Sequence, residues 1–160
     1  MATVYSTGRT TFDQNDPADQ VKANELGGRV RVAYATYEAS SLASGDVVEL
    51  FALPDGARII SGTLAHDALA SSTTLSVGHA AYTNSAGTVV ALDADEYKAA
   101  AASTAAQIVD ICATLALGAF SEVDLDTSGD TKDNEFIVTA TMGGAAGTGT
   151  ISVMMMYVLD

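Results

Sequence analysis

Short runs in which apolar side chains recur at every second residue follow one another along most of this chain. In RVRVAYATYEA, residues 29–39, the side chains of Val30, Val32 and Tyr34 would face one side of a strand and those between them the other. A period of two belongs to extended backbone, in which successive side chains point to opposite faces. The pattern therefore predicts a half-buried strand here, and its recurrence predicts an all-β chain.

Turn signals separate these runs. LPDG, with Pro54 and Gly56, predicts a tight turn, and GGAAGTG, residues 143–149, predicts a flexible turn of small residues. Gly62, inside one run, indicates a bulge or a close approach of backbone. About eight short strands at this spacing favour a single-domain, jelly-roll-like β-sandwich over a parallel α/β sheet. The other predicted strands are 46–53, 57–67, 72–80, 88–92, 107–117 (a buried run), 134–142 and 150–160.

One segment favours a helix instead. Asp93 is a suitable N-cap residue, and Glu96 three positions later completes a capping box. The alanine-rich EYKAAAASTAAQ follows, and alanine has the highest helix propensity of all residues. We expect one short helix near residues 94–106.

The chain divides into an N-terminal arm, residues 1–27, and a β-sandwich body, residues 28–160. The arm is mostly polar, has no sustained period and ends at Gly27 and Gly28, so we expect it to be extended and to need a neighbouring surface to become ordered. Pro17 also allows a short helix there. A chain of 160 residues otherwise favours one domain.

The charge balance is strongly acidic. The chain carries 20 Asp and Glu against 7 Lys and Arg, a net charge of −13, and only Arg29 and Arg31 lie close together. Binding phosphates requires clustered Lys and Arg, so we expect no direct contact with nucleic acid. Anionic lipid would repel such a surface, whereas a basic patch on a partner would attract it. The sequence also has no apolar run long enough to span a membrane and no secretory signal at its start, so we expect no membrane partner.

The search for catalytic residues gives no constellation. Cys112 lies in an apolar run, where a cysteine is a small buried hydrophobe. His66 and Asp67 are neighbours on one strand and would point to opposite faces, and His79 follows Gly78 at another strand end. We interpret both histidines as solvated strand ends. The chain is therefore predicted not to be an enzyme, with no catalytic, cofactor-binding or metal-binding residues and no cofactor.

The acidic stretch DLDTSGDTKDNE, residues 124–135, resembles the calcium loop D-x-[DN]-x-[DN]-G-x₅-E. An EF-hand needs a helix on each side of its loop, however, and both flanks here have the pattern of strands. Lys132 also places a positive charge at the ninth position. We interpret the stretch as a solvated turn between two strands, and leave open a calcium site of another loop type. The residues at ligand positions would be Asp124, Asp126, Ser128, Gly129 (the turn), Asp130 (its carbonyl) and Glu135.

The methionine run near the C-terminus makes both faces of its strand apolar. Met155 shares a face with Ile151 and Val153, which core packing between two sheets explains. Met154 and Met156 point the other way. They would be covered either by the predicted helix or by another subunit, and methionine is adaptable enough for a contact surface.

Several segments resemble those of small structural proteins from tailed bacteriophages. The longest is DVVELFALPDGARIISGTLAHDALASSTTLSVGHAAY, which contains L-P-x-G-A-R-I and S-T-T-L-S-V-G; EYKAAAAST and TMGGAAGTGTISV are also similar. The resemblance covers roughly residues 28–158 and is to head decoration proteins, also called cement or auxiliary capsid proteins. It implies a structural protein on the outer surface of the virion, with the major capsid protein as partner and a trimer as the bound form.

Two other functions remain open at this point. The same sandwich folds serve in neck, tail and fibre proteins of virions, so fold alone does not select the decoration role. The acidic stretch leaves a calcium- or carbohydrate-binding module as the third alternative.

Overall fold

The structure, a computed structural model, describes residues 28–128 and 134–159. The predicted arm, residues 1–27, lies outside the described residues, as does the middle of the acidic stretch. The strands are β1 (Val30–Leu42), β2 (Val47–Leu53), β3 (Arg58–His66), β4 (Thr73–His79), β5 (Tyr82–Thr83), β6 (Val89–Val90), β7 (Asp93–Ala102), β8 (Gln107–Ile111), β9 (Phe136–Gly144) and β10 (Gly147–Val158), with a short 3-10 helix at Leu115–Leu117.

Eight of these strands form two four-stranded antiparallel sheets. The first sheet has the order β1-β10-β3-β8 and the second has the order β2-β9-β4-β7, while β5 and β6 form a small hairpin. Most consecutive strands alternate between the sheets, and the first and last strands pair with each other. This is the connectivity of a jelly roll, an eight-stranded double sheet. The predicted all-β, jelly-roll-like sandwich is confirmed.

The core lies between the inner faces of the two sheets. In β10, Ile151, Val153 and Met155 are buried, as the alternation in the sequence predicts. The second sheet supplies residues such as Val77 and Val138, which are also fully enclosed. Because successive side chains of a strand point to opposite faces, the outer faces of both sheets point away from this core.

The predicted helix over residues 94–106 is wrong: most of that segment is the strand β7, which pairs with β4. Packing overrides alanine's helix propensity here, because β7 completes the second sheet and buries Tyr97 in the core. The carboxylate of Asp93 still accepts a hydrogen bond from a nearby backbone amide, that of Asp95 at 3.0 Å, but this bond closes a local turn and caps no helix. Ala99–Ala102 remain exposed in the strand.

The predicted buried strand over 107–117 is also corrected. Only β8, Gln107–Ile111, is strand, and its residues except Ile111 and Val109 are exposed because β8 lies at the edge of the first sheet. Cys112 follows with a φ of 55°, a left-handed conformation that ends the strand. The chain then turns into the 3-10 helix.

The close approach predicted at Gly62 is confirmed. A methyl group on its Cα would lie 2.6 Å from Cγ1 of Ile111 and 2.9 Å from the carbonyl oxygen of Met154. The glycine therefore lets β3 lie against both of its neighbouring strands. The tight turn predicted at LPDG also forms, with Gly56 at a φ of 75° between β2 and β3.

Candidate interaction surface

An apolar patch lies on the outer face of the first sheet. Antiparallel register places Val32 opposite Met156 and Tyr34 opposite Met154, so the four side chains share one face of β1 and β10. Tyr34 is 75% exposed and Val32 53% exposed, and the two methionines are half-buried. We call Val32, Tyr34, Met154 and Met156 the sheet-face patch. The predicted helix, one of the two alternatives for covering Met154 and Met156, is the strand β7, which belongs to the other sheet.

Polar groups border the sheet-face patch on its sheet. Next along β1 and β10, the hydroxyls of Thr36 and Ser152 lie 2.9 Å apart and hydrogen-bond to each other. Beyond them, the hydroxyl of Thr150 donates to a carboxylate oxygen of Glu38 at 2.7 Å. An apolar centre with a polar border is the usual anatomy of a protein–protein contact.

A second apolar projection is the loop that contains the 3-10 helix, residues 114–120, which we call the 114–120 loop. Leu115 is 78% exposed and Phe120 is 59% exposed. Phe120 has a φ of 63°, where a bulky residue is a strained outlier. Its amide donates to the carbonyl of Ile59 at 2.9 Å, and the amide of Ala119 donates to the carbonyl of Thr114 at 3.1 Å. These bonds hold the strained backbone and present the phenyl ring to solvent.

The 114–120 loop lies at the end of the sandwich where the chain enters the body. Val30, the first residue of β1, pairs with Val158, which pairs in turn with Arg58. A guanidinium nitrogen of Arg58 donates to the carbonyl of Phe120 at 3.4 Å, and Arg58 also forms an ion pair with Glu122. Residues 1–27 therefore join the body at the end that carries Phe120.

The carboxylates in the described part of the acidic stretch accept hydrogen bonds from nearby groups of the same chain. One carboxylate oxygen of Asp126 accepts hydrogen bonds from the backbone amide of Ser128 at 2.8 Å and from its hydroxyl at 2.6 Å. These two bonds hold the pKa of Asp126 below its usual value. Asp124 accepts a longer bond, 3.3 Å, from the amide of Ser85. Both carboxylates are engaged with neighbouring donors of the chain.

The flanks of the acidic stretch are extended, as expected. Before it, the amide of Val123 donates to the carbonyl of Ala57 in a strand-like pairing, and β9 begins at Phe136 directly after it. Flanks of this kind do not provide the two helices of an EF-hand. Of the predicted ligand positions, Gly129 and Asp130 lie outside the described residues, as does Lys132; within 28–128 and 134–159, no three His, Cys, Asp or Glu side chains converge on a metal-sized site.

The interpretation of the two histidines as solvated strand ends is wrong, because both are buried. His79 packs in an aromatic cluster, with its ring centroid 5.2 Å from that of Phe136 and 5.4 Å from that of Tyr82. The β5 strand folds over the end of β4 and encloses it. Nδ1 of His66 lies 2.7 Å from the backbone carbonyl of Asp67, while the Asp67 carboxylate accepts from the amide of Thr150. The two side chains therefore do not act as a pair.

Cys112 is buried, as predicted. Burial, with a smaller effect from the Glu96 carboxylate, raises the pKa of its thiol to about 12. The thiolate is the nucleophilic form of cysteine, so this side chain is inert at neutral pH. Its environment is that of a structural residue.

A shallow cavity of about 380 Å³ lies at the far end of the first sheet, between β3, β8 and β10. His66, Asp67 and Gln107 contribute polar groups to its lining, and Ile108 contributes an apolar one. It is open to solvent, whereas small-molecule sites enclose most of their ligand and are lined mainly by apolar and aromatic side chains. This cavity therefore does not support the carbohydrate-binding alternative.

No helix in the described part of the chain has the length and apolar character needed to cross a membrane. No protein-family model matches the sequence, and no curated protein matches it.

Solved structures do share the fold. A chain of the cyanophage Pam1 capsid asymmetric unit is 20% identical, with a TM-score of 0.57 over 92% of this chain and 99% of that chain. A chain from the capsid of Ralstonia phage GP4 is 21% identical, with a TM-score of 0.60 over 83% and 86%. A chain from the acidic stable capsid structure of Helicobacter pylori bacteriophage KHP30 is 17% identical, with a TM-score of 0.51 over 81% and 87%. This chain therefore has the fold of chains found in three bacteriophage capsids.

Proposed function

We propose that this protein is a structural component of a bacteriophage virion that binds the outer surface of the major capsid shell and stabilises the head. The observation that carries the proposal is the fold shared along most of both chains with three capsid chains, which reaches 99% of the Pam1 chain. Coverage of this kind means that those chains are similar in length to this one and consist largely of the same jelly roll. We further propose that the protein has no enzymatic role.

The chemistry of the surface supports a role in binding protein. The sheet-face patch and the 114–120 loop expose aromatic and methionine side chains, which are types enriched at interfaces. The chain has a net charge of −13, so DNA packaged inside a head would repel it. That charge suits the outer surface of the shell.

The bound form that we propose is a homotrimer in which residues 1–27 reach a neighbouring subunit. A segment of 27 residues spans about 90 Å when fully extended, which exceeds the width of the body it joins. Three arms and three bodies attached together raise the effective affinity of contacts that are weak one by one. Because the arm joins the body beside Phe120, we place the contact with the shell at that end.

Shells that lack the protein provide the test. Wild-type protein is added to purified shells, the bound copies are counted, and the melting temperature of the shell is recorded. We expect saturable binding and a higher melting temperature. Phe120→Asn keeps a residue that tolerates the left-handed backbone but removes the ring, so it should weaken binding at least about tenfold. Val89→Asn, which alters a side chain on the small hairpin that is 72% exposed against 59% for Phe120, is the matched control and should bind like wild type.

Deleting residues 1–27 tests the arm. We expect weaker attachment from a body whose circular dichroism is unchanged, and full decoration by the shortened protein would show that the arm is not needed. Binding at one vertex in low copy number would instead select a neck, tail or fibre component. Calorimetric titration with millimolar calcium tests the remaining alternative. A heat signal in wild type that is lost in Asp126→Ala would select the calcium-binding module.

A further inference from the structure

We infer that the sheet-face patch is the surface through which two copies of this chain contact each other. The inference deepens the proposed function and rests on it for the trimer, in which the same patch of each copy would meet around the common axis. It begins from register: Val32 and Met156 face each other across β1 and β10, and Tyr34 and Met154 form the adjacent pair.

The sheet-face patch is free of charge in a strongly acidic chain. On the β3 side its neighbours are Ser61, opposite Met156, and Thr63, opposite Met154. The first carboxylate in that direction is Asp110, one strand further, opposite Thr63. Along β1 the first carboxylate is Glu38, two outward-facing positions beyond Tyr34, and it is already hydrogen-bonded to Thr150.

This distribution of charge selects the partner. A basic surface would be drawn to the carboxylates and would gain nothing from an uncharged patch. Two copies of a chain with a net charge of −13 repel each other, and the repulsion is least where the facing surfaces carry no carboxylate. A second copy is therefore the partner that we place on this uncharged, apolar face.

The side chains of the patch suit a protein contact. Tyr34 offers a rigid ring with a polar tip, and tyrosine is among the residues that contribute most to binding energy at interfaces. Met154 and Met156 are unbranched and can adjust to the opposing surface. The hydroxyls of Thr36 and Ser152 share one hydrogen bond, so one of the two O–H donors at this polar border already has its acceptor within the chain.

Sedimentation velocity of the full-length chain over a range of concentrations tests the inference without shells. We expect wild type to self-associate and Tyr34→Glu to raise the dissociation constant at least about 30-fold, because a charge is placed at the centre of the contact. Val32→Glu, on the same face, should act in the same direction. Val89→Glu adds the same charge at a side chain that is 72% exposed on the β5–β6 hairpin, and should associate like wild type. Tyr34→Phe should also associate like wild type.

Two outcomes overturn the inference. The first is a wild-type chain that stays monomeric up to about 1 mM, the weak end of measurable affinity. If, in addition, a thiol introduced by Tyr34→Cys is shielded from labelling in that monomer, residues 1–27 of the same chain occupy the face. The second is a Tyr34→Glu variant that associates like wild type. If that variant also no longer binds shells, the face belongs to the contact with the shell protein and the proposed function stands. Self-association through the patch in a protein that does not bind shells has the opposite meaning: the inference holds and the proposed function fails.

Discussion

Burial sets the chemistry of the reactive side chains in this molecule. The amide of Cys112 donates to the carbonyl of Tyr97 at 2.9 Å, which places the thiol in the core beside the buried phenol. Burial disfavours the charged form of both groups and raises both pKa values. Burial, together with the neighbouring Asp93, also raises the pKa of Glu96. Burial in the core therefore favours the neutral forms of Cys112 and Tyr97 and shifts Glu96 toward its neutral form.

The thiol of Cys112 should react with a disulfide reagent at pH 8 only as fast as the protein unfolds. Its folded pKa, about 12, lies above the ordinary value of 9.0, so its contribution to stability is complete below about pH 9 and is lost as the pH rises toward 12. The measurement is the labelling rate of native protein, with guanidine-unfolded protein as the control. Rapid stoichiometric labelling of the native protein would contradict the assignment.

Gly62→Ala should destabilise the fold by about 1–3 kcal/mol, because the added methyl group would be too close to Ile111 and to the backbone of Met154. Ser61→Ala, one position earlier and half-exposed, should change the free energy of unfolding by less than about 0.5 kcal/mol. Urea denaturation of both variants measures the difference. Equal stability of the two would mean that β3 does not approach its neighbours this closely.

At the scale of elements, β7 shows packing overriding local preference. Its alanine-rich end has the composition of a helix, yet Ala101 pairs with Leu75 and Ala102 with Thr74 in the second sheet. Tyr97 favours the strand because its ring is buried in the core. A helix over 94–106 would also leave β4 without the neighbouring strand on its outer side. The segment is held by long-range contacts that its own sequence does not display.

Ala102→Thr distinguishes a strand from a helix in this segment. Threonine opposite Thr74 forms a favourable cross-strand pair, so we expect a gain of about 0.2–1 kcal/mol in the free energy of unfolding. In a helix the same change would cost about 0.5 kcal/mol. Ala106→Thr, exposed and outside the strand, is the control and should be nearly neutral. A loss of stability in Ala102→Thr alone would contradict the strand.

Alternation predicts the strands well where one face is buried, as Ile151, Val153 and Met155 show. It fails where burial depends on distant segments. His79 follows a glycine at a strand end, which the sequence presents as exposed, and it is buried because Tyr82 and Phe136 pack around it in the fold. The same limit applies to the candidate surface: the methionine run indicates a second apolar face, but the register that adds Val32 and Tyr34 to it depends on pairing between opposite ends of the chain. The strained backbone of Phe120 leaves no signal in the sequence at all.

At the scale of the whole molecule, the features combine into a small β-sandwich with exposed apolar surfaces in a chain of net charge −13. The sheet-face patch lies on β1 and β10, at one edge of the outer face of the first sheet, and the 114–120 loop lies at the end where residues 1–27 join. Two separate surfaces are what a protein needs if it contacts both its own copies and a shell. The described residues bring together no group of side chains that competes with this account as a catalytic site.

The ratio of this chain to the shell protein in purified virions is the most direct test of the decoration role. Quantitative mass spectrometry of intact particles, with a labelled standard for each protein, gives that ratio. The account predicts many copies, in roughly stoichiometric proportion to the shell protein. A handful of copies per particle, or none, would contradict it.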